Sequence, residues 1–185
     1  SSSPFLGFLV NGHQIPLTHQ RANQSELPLD SEDLEIVNRA SKYVDTFQHV
    51  EESYMHAMKA PNQDGEIAKI RANAFIHKWL IAAEADLCGC QTSRKAALFD
   101  FGMALHTLQD STSPAHNTPQ NEFKVWDGTL HLIKAYNHVK LEDLDLRLGS
   151  RLSRATKNFW KYFDCIKSLP SLPQNFLLGE LIRIR

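Results

Sequence analysis

Between residues 105 and 116 the chain reads Leu-His-Thr-Leu-Gln-Asp-Ser-Thr-Ser-Pro-Ala-His. His106 and Asp110 lie four residues apart, which on a helix puts both on one face and within reach of a single cation. His116 follows across a turn containing Pro114 that can return its ring toward the same place. Imidazole nitrogen and carboxylate oxygen are the ligands a borderline ion such as zinc favours. A second pair at the same interval, His138 and Glu142, and a third candidate, His56 with Glu52 one turn before it, extend the pattern. One such pair is what any histidine-rich helical chain produces and reads as a surface hydrogen bond. Several, each near a helix end, point to a metal centre.

The elements that must carry these residues are helical. Asp30 is a good N-cap with Glu32 and Asp33 in the first turn, and apolar residues from Leu34 through Val37, Ala40, Val44, Phe47, Val50 and Met55 hold a helical period until Pro61. A second helix runs from Ile67 to Leu87, after the turn signal Asn62-Gln63-Asp64-Gly65, and breaks at Cys88-Gly89-Cys90. A third opens near Thr92 or Ser93 and stops before Pro114, with Phe99, Phe101 and Met103 as core candidates beside the histidine segment. A polar loop, 117–128, leads to a fourth helix over about 129–148, and a fifth follows Gly149-Ser150 until Pro170. Residues 1–29, punctuated by Gly7, Gly12, Pro16 and Pro28, read as an irregular arm without lasting periodicity. The expectation is one all-α domain over 30–185.

Composition narrows the function. With 185 residues, 42% hydrophobic and 22% charged, the chain fits one globular domain rather than a disordered segment. No apolar run approaches the ~20 residues of a membrane span. No basic stretch followed by an apolar one marks a signal peptide, and Ser1-Ser2-Ser3 reads as a trimmed end. A formal charge of −1 argues against electrostatic binding of nucleic acid as the main activity. Residues 147–185 carry eight Lys or Arg against Asp164 and Glu180, which reads as a solvated basic face. Three cysteines do not make a disulfide scaffold. Cys88 and Cys90, like Trp79, Trp126 and Trp160, read as packing residues, although Trp126 lies between ligand segments where it could flank a substrate. His13, His19 and His77 receive no site, and His49 and His131 read as surface or supporting groups.

Residues 105–116 resemble the hallmark of the bacterial zinc-dependent phospholipases C, relatives of the single-strand-specific zinc nucleases of fungi and plants. That hallmark is L-H-x3-D-x5-H with Pro two residues before the last His, and every position is matched. His56, fifty residues upstream of His106, and the pair His138 and Glu142 downstream are similar to further ligands of the family. Ile36-Val-Asn-Arg-Ala40 resembles its first helix. The resemblance implies an all-α fold with a cleft holding two or three zinc ions. His56, His106 and Asp110 would hold one, with Asp110 able to bridge to a neighbour, and His116, His138 and Glu142 another. Family members bind a third zinc through a mature N-terminal Trp and a nearby His; here the chain begins with Ser1, and Asp33 stands where that His would be. Glu52 and Asp45 are the substitutes for a further family carboxylate, ligand and proposed base, and Glu52 is preferred because it is one helical turn from His56. Glu52 and Asp110 are then the candidate catalytic carboxylates.

The implied activity is phosphodiester hydrolysis, with a phospholipid or membrane surface as substrate, because Glu142 is the phospholipase choice at that position. A nuclease acting on nucleic acid is the alternative, since the interval between His116 and His138 is nuclease-like. A zinc-stapled interaction module without catalysis is the third reading. The short chain suggests a toxin domain of a larger secreted, contact-delivered bacterial protein, for which a neutralising immunity protein is the expected partner.

Overall fold

The computed structural model describes residues 9–10, 13–14, 18–88, 94–128 and 150–164. In chain order they form a two-residue antiparallel hairpin, β1 (Leu9–Val10) and β2 (His13–Gln14), then α1 (Thr18–Glu26), α2 (Ser31–Val44), a 3-10 helix (Val50–His56), α3 (Gly65–Cys88), α4 (Arg94–Asp110) and α5 (Arg151–Asp164). The described chain is thus mostly helical, as its periodicity predicts. No helix among the described residues is long and apolar enough to cross a membrane.

α4 is the central element. Every side chain from Phe101 to Asp110 is buried, so the helix presents no solvent face over its last ten residues. A helix enclosed on all sides must be packed by several partners. α3 supplies Ala72, Ile76, Leu80 and Ala83 to the shared core, and α2 supplies Ile36 and Val37. α5 stacks Phe159 on Phe101 at 5.3 Å and brings Phe163 to 4.6 Å from the same ring.

Gly102 sets the approach of α2 to α4. A Cβ there would lie 2.7 Å from the Ala40 Cβ and 2.8 Å from the Val37 carbonyl oxygen, both held in helix α2. The missing methyl brings the two helices close enough for Ser41, one residue beyond Ala40, to reach His106, one turn beyond Gly102.

Two sequence expectations need correction. The arm over 1–29 is not wholly irregular, because α1 occupies Thr18–Glu26. Its buried face is Thr18, His19, Ala22 and Asn23, chiefly polar, so it leaves no apolar stripe to read. The first long helix does start where expected, with Asp30 Oδ1 accepting from the Asp33 backbone N–H at 2.9 Å. It ends at Val44 rather than running to Pro61. Thr46 Oγ1 donates to the Tyr43 carbonyl and Gln48 Nε2 to the Asp45 carbonyl, at 2.7 and 2.8 Å, closing off carbonyls that a continuing helix would have bonded. The fourth expected helix, over about 129–148, lies outside the described residues.

Candidate metal centre

Five segments converge at the C-terminal end of α4, the fifth being the end of α2. α4 supplies His106 and Asp110, the turn after it His116, the 3-10 helix His56, and α1 His19. The Asp110 carboxylate sits in the middle, 2% exposed. Its Oδ2 is 3.1 Å from His56 Nδ1 and 3.1 Å from His106 Nε2, and those two nitrogens are 3.2 Å apart. Its Oδ1 faces His19 Nε2 at 3.2 Å and His116 Nε2 at 3.7 Å. Asp45, at the end of α2, places Oδ1 3.6 Å from His106 Nε2.

The local structure explains how each ring is held. The break after Val44 frees the Phe47 carbonyl from any helical bond, and it accepts the His56 Nε2–H at 2.9 Å. Thr107 in α4 donates to the Met55 carbonyl at 2.6 Å and so fixes the end of the 3-10 helix. Ala57 closes that helix with φ 48°, a left-handed conformation uncommon for alanine, turning the chain away directly after the histidine. Past α4, Ser111 and Thr112 hydroxyls donate back to the Leu108 and Gln109 carbonyls, and Asn117 donates to the Ser111 carbonyl. That polar turn returns His116, whose Nδ1–H donates to the carbonyl of His56.

These bonds fix the protons. A carbonyl oxygen can only accept, so His56 must carry hydrogen on Nε2 and His116 on Nδ1. In their neutral forms both rings therefore aim bare lone pairs at the Asp110 carboxylate, which has lone pairs of its own. A neutral His106, its Nδ1 accepting from the Ser41 hydroxyl, supplies one hydrogen between His56 and Asp110; a further proton on the rings or a cation in the gap would satisfy the remaining lone pairs. Imidazoles oriented through their far nitrogens by backbone carbonyls are what metal ligation calls for. Spacing agrees. Zinc ligands lie about 2.0–2.1 Å from the ion, so tetrahedral ligand atoms stand about 3.3 Å apart, close to the triangle formed by His56, His106 and Asp110. Burial on its own would push the Asp110 carboxyl up, but charge on His106 and His116 and hydrogen bonds from His106 and His56 outweigh it and hold the group well below the usual carboxylate range.

Beside the triangle of His56, His106 and Asp110, two further groups among the described residues bring three ligand atoms within 4.8 Å of one another, His19 with His106 and Asp110, and Asp45 with His56 and His106. Both could hold a metal ion. The site thus gathers His56, His106, Asp110 and His116, all named from sequence, and adds Asp45 and His19. Asp45 takes the position for which Glu52 is preferred on sequence grounds. Glu52 instead caps the 3-10 helix, Oε2 accepting from the His49 backbone N–H at 3.1 Å, because the chain there is not the continuous helix that would aim it at His56. Asp33 is not brought to the cluster. Its carboxylate is bound by Arg94 across the α2–α4 pair at 2.9–3.0 Å. His138, Glu142 and His131 lie outside the described residues. Trp126 donates from Nε1 to the Gln48 carbonyl at 3.0 Å, bracing the loop after α2.

His19 is the residue that periodicity misses. Its signal is propensity, a nine-residue run of helix-compatible polar residues shortly after Pro16, without any apolar spacing. Neither protein-family models, nor curated proteins, nor solved structures yield a match to this chain.

Proposed function

We propose that this chain is a zinc-dependent phosphodiester hydrolase of the phospholipase C type, cleaving a membrane phospholipid on the diacylglycerol side of the phosphate. The observation that carries the metal-dependent part is the convergence of imidazole nitrogens, their rings oriented from behind by the Phe47 and His56 carbonyls, on one buried carboxylate. The choice of reaction rests on the likeness of residues 105–116 to the phospholipase hallmark, together with the joining of that segment to His56.

When bound, paired zinc ions lower the pKa of a shared water and neutralise phosphodiester oxygens during in-line displacement. The chain's own residues do the rest. Asp110 offers one oxygen to each side of the centre, so a single carboxylate serves two positions. His56 and His106 define the Oδ2 side. Asp45, 24% exposed where Asp110 and His106 are 2%, stands at the solvent edge and is the carboxylate placed to orient a water and accept its proton.

One observation favours a second reading. With Asp45, the Oδ2 side reaches four protein ligands, the number typical of a closed structural zinc site. On that reading zinc only staples the helices. The test is to incubate the purified chain with phosphatidylcholine vesicles and, separately, with single-stranded DNA, each with and without chelator. Chelator-sensitive release of phosphocholine supports the proposal. Release of nucleotides alone assigns the related nuclease activity, and zinc content without hydrolysis of either substrate assigns the staple.

A further inference from the structure

We infer that His19, carried on helix α1, is a metal ligand on the Oδ1 side of Asp110, so that α1 is docked by the ion as well as by the protein. The inference rests on the metal-centre reading and extends it to a residue and helix outside the phospholipase-like segment.

Position comes first. His19 Nε2 lies 3.2 Å from Asp110 Oδ1, near the separation of two ligands on one zinc, and its ring meets that of His106 edge-on with centroids 5.0 Å apart. The same Oδ1 faces His116 Nε2, whose proton is committed to the far nitrogen. The Oδ1 side therefore repeats the motif of the Oδ2 side, two imidazoles about one carboxylate oxygen.

The energetics of α1 point the same way. Its buried face offers Ala22 as its sole apolar side chain, beside Thr18, His19 and Asn23. Hydrophobic burial of one alanine is a weak reason for a nine-residue helix to dock. Within the helix what holds it is polar, while Leu27, just past its end, is buried in the main core. Asn23, one turn after His19, donates to Asn38 of α2 at 3.0 Å and accepts from Gln109 at 2.8 Å, and Gln109 reaches Thr156 of α5 at 2.9 Å. Gln109 immediately precedes Asp110, so one buried amide ties α1 to the helix bearing the central carboxylate. Its own Oε1 is buried without a hydrogen-bond partner among the described residues, a cost accepted in fixing this geometry.

A hydrogen bond from His19 to Asp110 would produce the same distance, so the test must separate donation from ligation. His19→Gln retains an N–H donor of similar reach but is a poor zinc ligand. Zinc content and affinity would be measured for the whole chain and for this variant, with cobalt(II) spectra as a probe of ligand number and amide exchange over residues 18–26 with zinc and with chelator. Ligation predicts that the variant stays folded, loses one zinc equivalent or binds it about 100-fold more weakly, and changes its cobalt spectrum. It also predicts that zinc slows exchange in α1 at least tenfold in the parent and much less in the variant. A variant with unchanged zinc affinity, spectrum and α1 protection overturns the inference while leaving the centre intact. A parent chain that binds no zinc overturns the metal-centre reading itself, and this inference with it.

Discussion

His56 donates a hydrogen bond from Nε2–H to the Phe47 carbonyl and turns its other nitrogen to within 3.1 Å of an Asp110 carboxylate oxygen. A neutral ring so placed sets lone pair against lone pair, whereas a charged one would pair with the carboxylate. A divalent ion would satisfy the neutral ring here and at the matching contact made by His116.

The first expectation concerns metal removal. Ligand bound to the folded state alone stabilises it by about 4 kcal/mol at a thousandfold excess over Kd, and 1 kcal/mol is worth about 2–4 °C in a chain of this size. Dialysis against chelator should therefore lower Tm by about 10 °C, with zinc restoring it. Differential scanning calorimetry of the two forms checks this, and coincident transitions would count against a resident ion.

The two carboxylates near the 3-10 helix should separate cleanly. Glu52→Ala removes a cap and should cost about 1 kcal/mol of stability with zinc affinity unchanged. Asp45→Asn should leave stability of the zinc-free chain within about 0.5 kcal/mol and weaken zinc binding at least tenfold. Denaturant melts with chelator present and zinc titrations of the two variants give both readouts. The reverse pattern would return Glu52 to the site.

Those two residues also show where the sequence was legible. The spacing of His106, Asp110 and His116 is local, set by one helix and one turn, so their meeting could be read directly. His56 could be placed on the same cluster by likeness alone. The helix break after Val44 could not, since it is made by the Thr46 and Gln48 side chains returning to backbone carbonyls, without a glycine or proline to signal it. Asp45 rather than Glu52 reaches the histidines because of that break. His19 escaped because a helix docked through Asn23 and Gln109 has no apolar rhythm. The central helices were legible because α3 and α4 bury long apolar faces between clear terminators.

Gly102→Ala should be more damaging than its surroundings suggest. Alanine favours helices, yet its methyl group meets the Ala40 Cβ and the Val37 carbonyl at distances real contacts do not show. Overpacking of this kind costs about 1–3 kcal/mol, and separating α2 from α4 would lengthen the 2.8 Å contact between Ser41 Oγ and His106 Nδ1. Urea denaturation and zinc affinity should both fall in the variant. A stabilised protein would show that the helices do not approach as closely as described.

Asp100, on α4, gives a pH dependence whose sign can be worked out. Burial, and then the nearby Asp86 carboxylate, push its pKa from 3.8 to about 6. A carboxyl raised in the folded state imposes no penalty below pH 3.8, where folded and unfolded chains are both protonated. Its penalty grows as pH rises from 3.8 to about 6 and is constant above. Asp100→Asn should thus raise stability at pH 7 by on the order of 1 kcal/mol, after allowing for solvent screening of a partly exposed group, and leave it unchanged at pH 3.5. Thermal melts of both proteins at the two pH values decide it, and an equal gain at both would refute the electrostatic cause.

The distances spanned along the chain carry a last consequence. His106 meets His56 across 50 residues, His116 reaches back 60 to the His56 carbonyl, and Gln109 binds Asn23 across 86. Closing loops of that length yields nothing until most of the polypeptide is present. A nascent chain emerging from the ribosome as far as α3 would own scattered donors but no Asp110, and so no trap. Capture of an ion would then mark completion of the tertiary structure, and a fluorescent zinc indicator would serve as a clock for the final stage of folding.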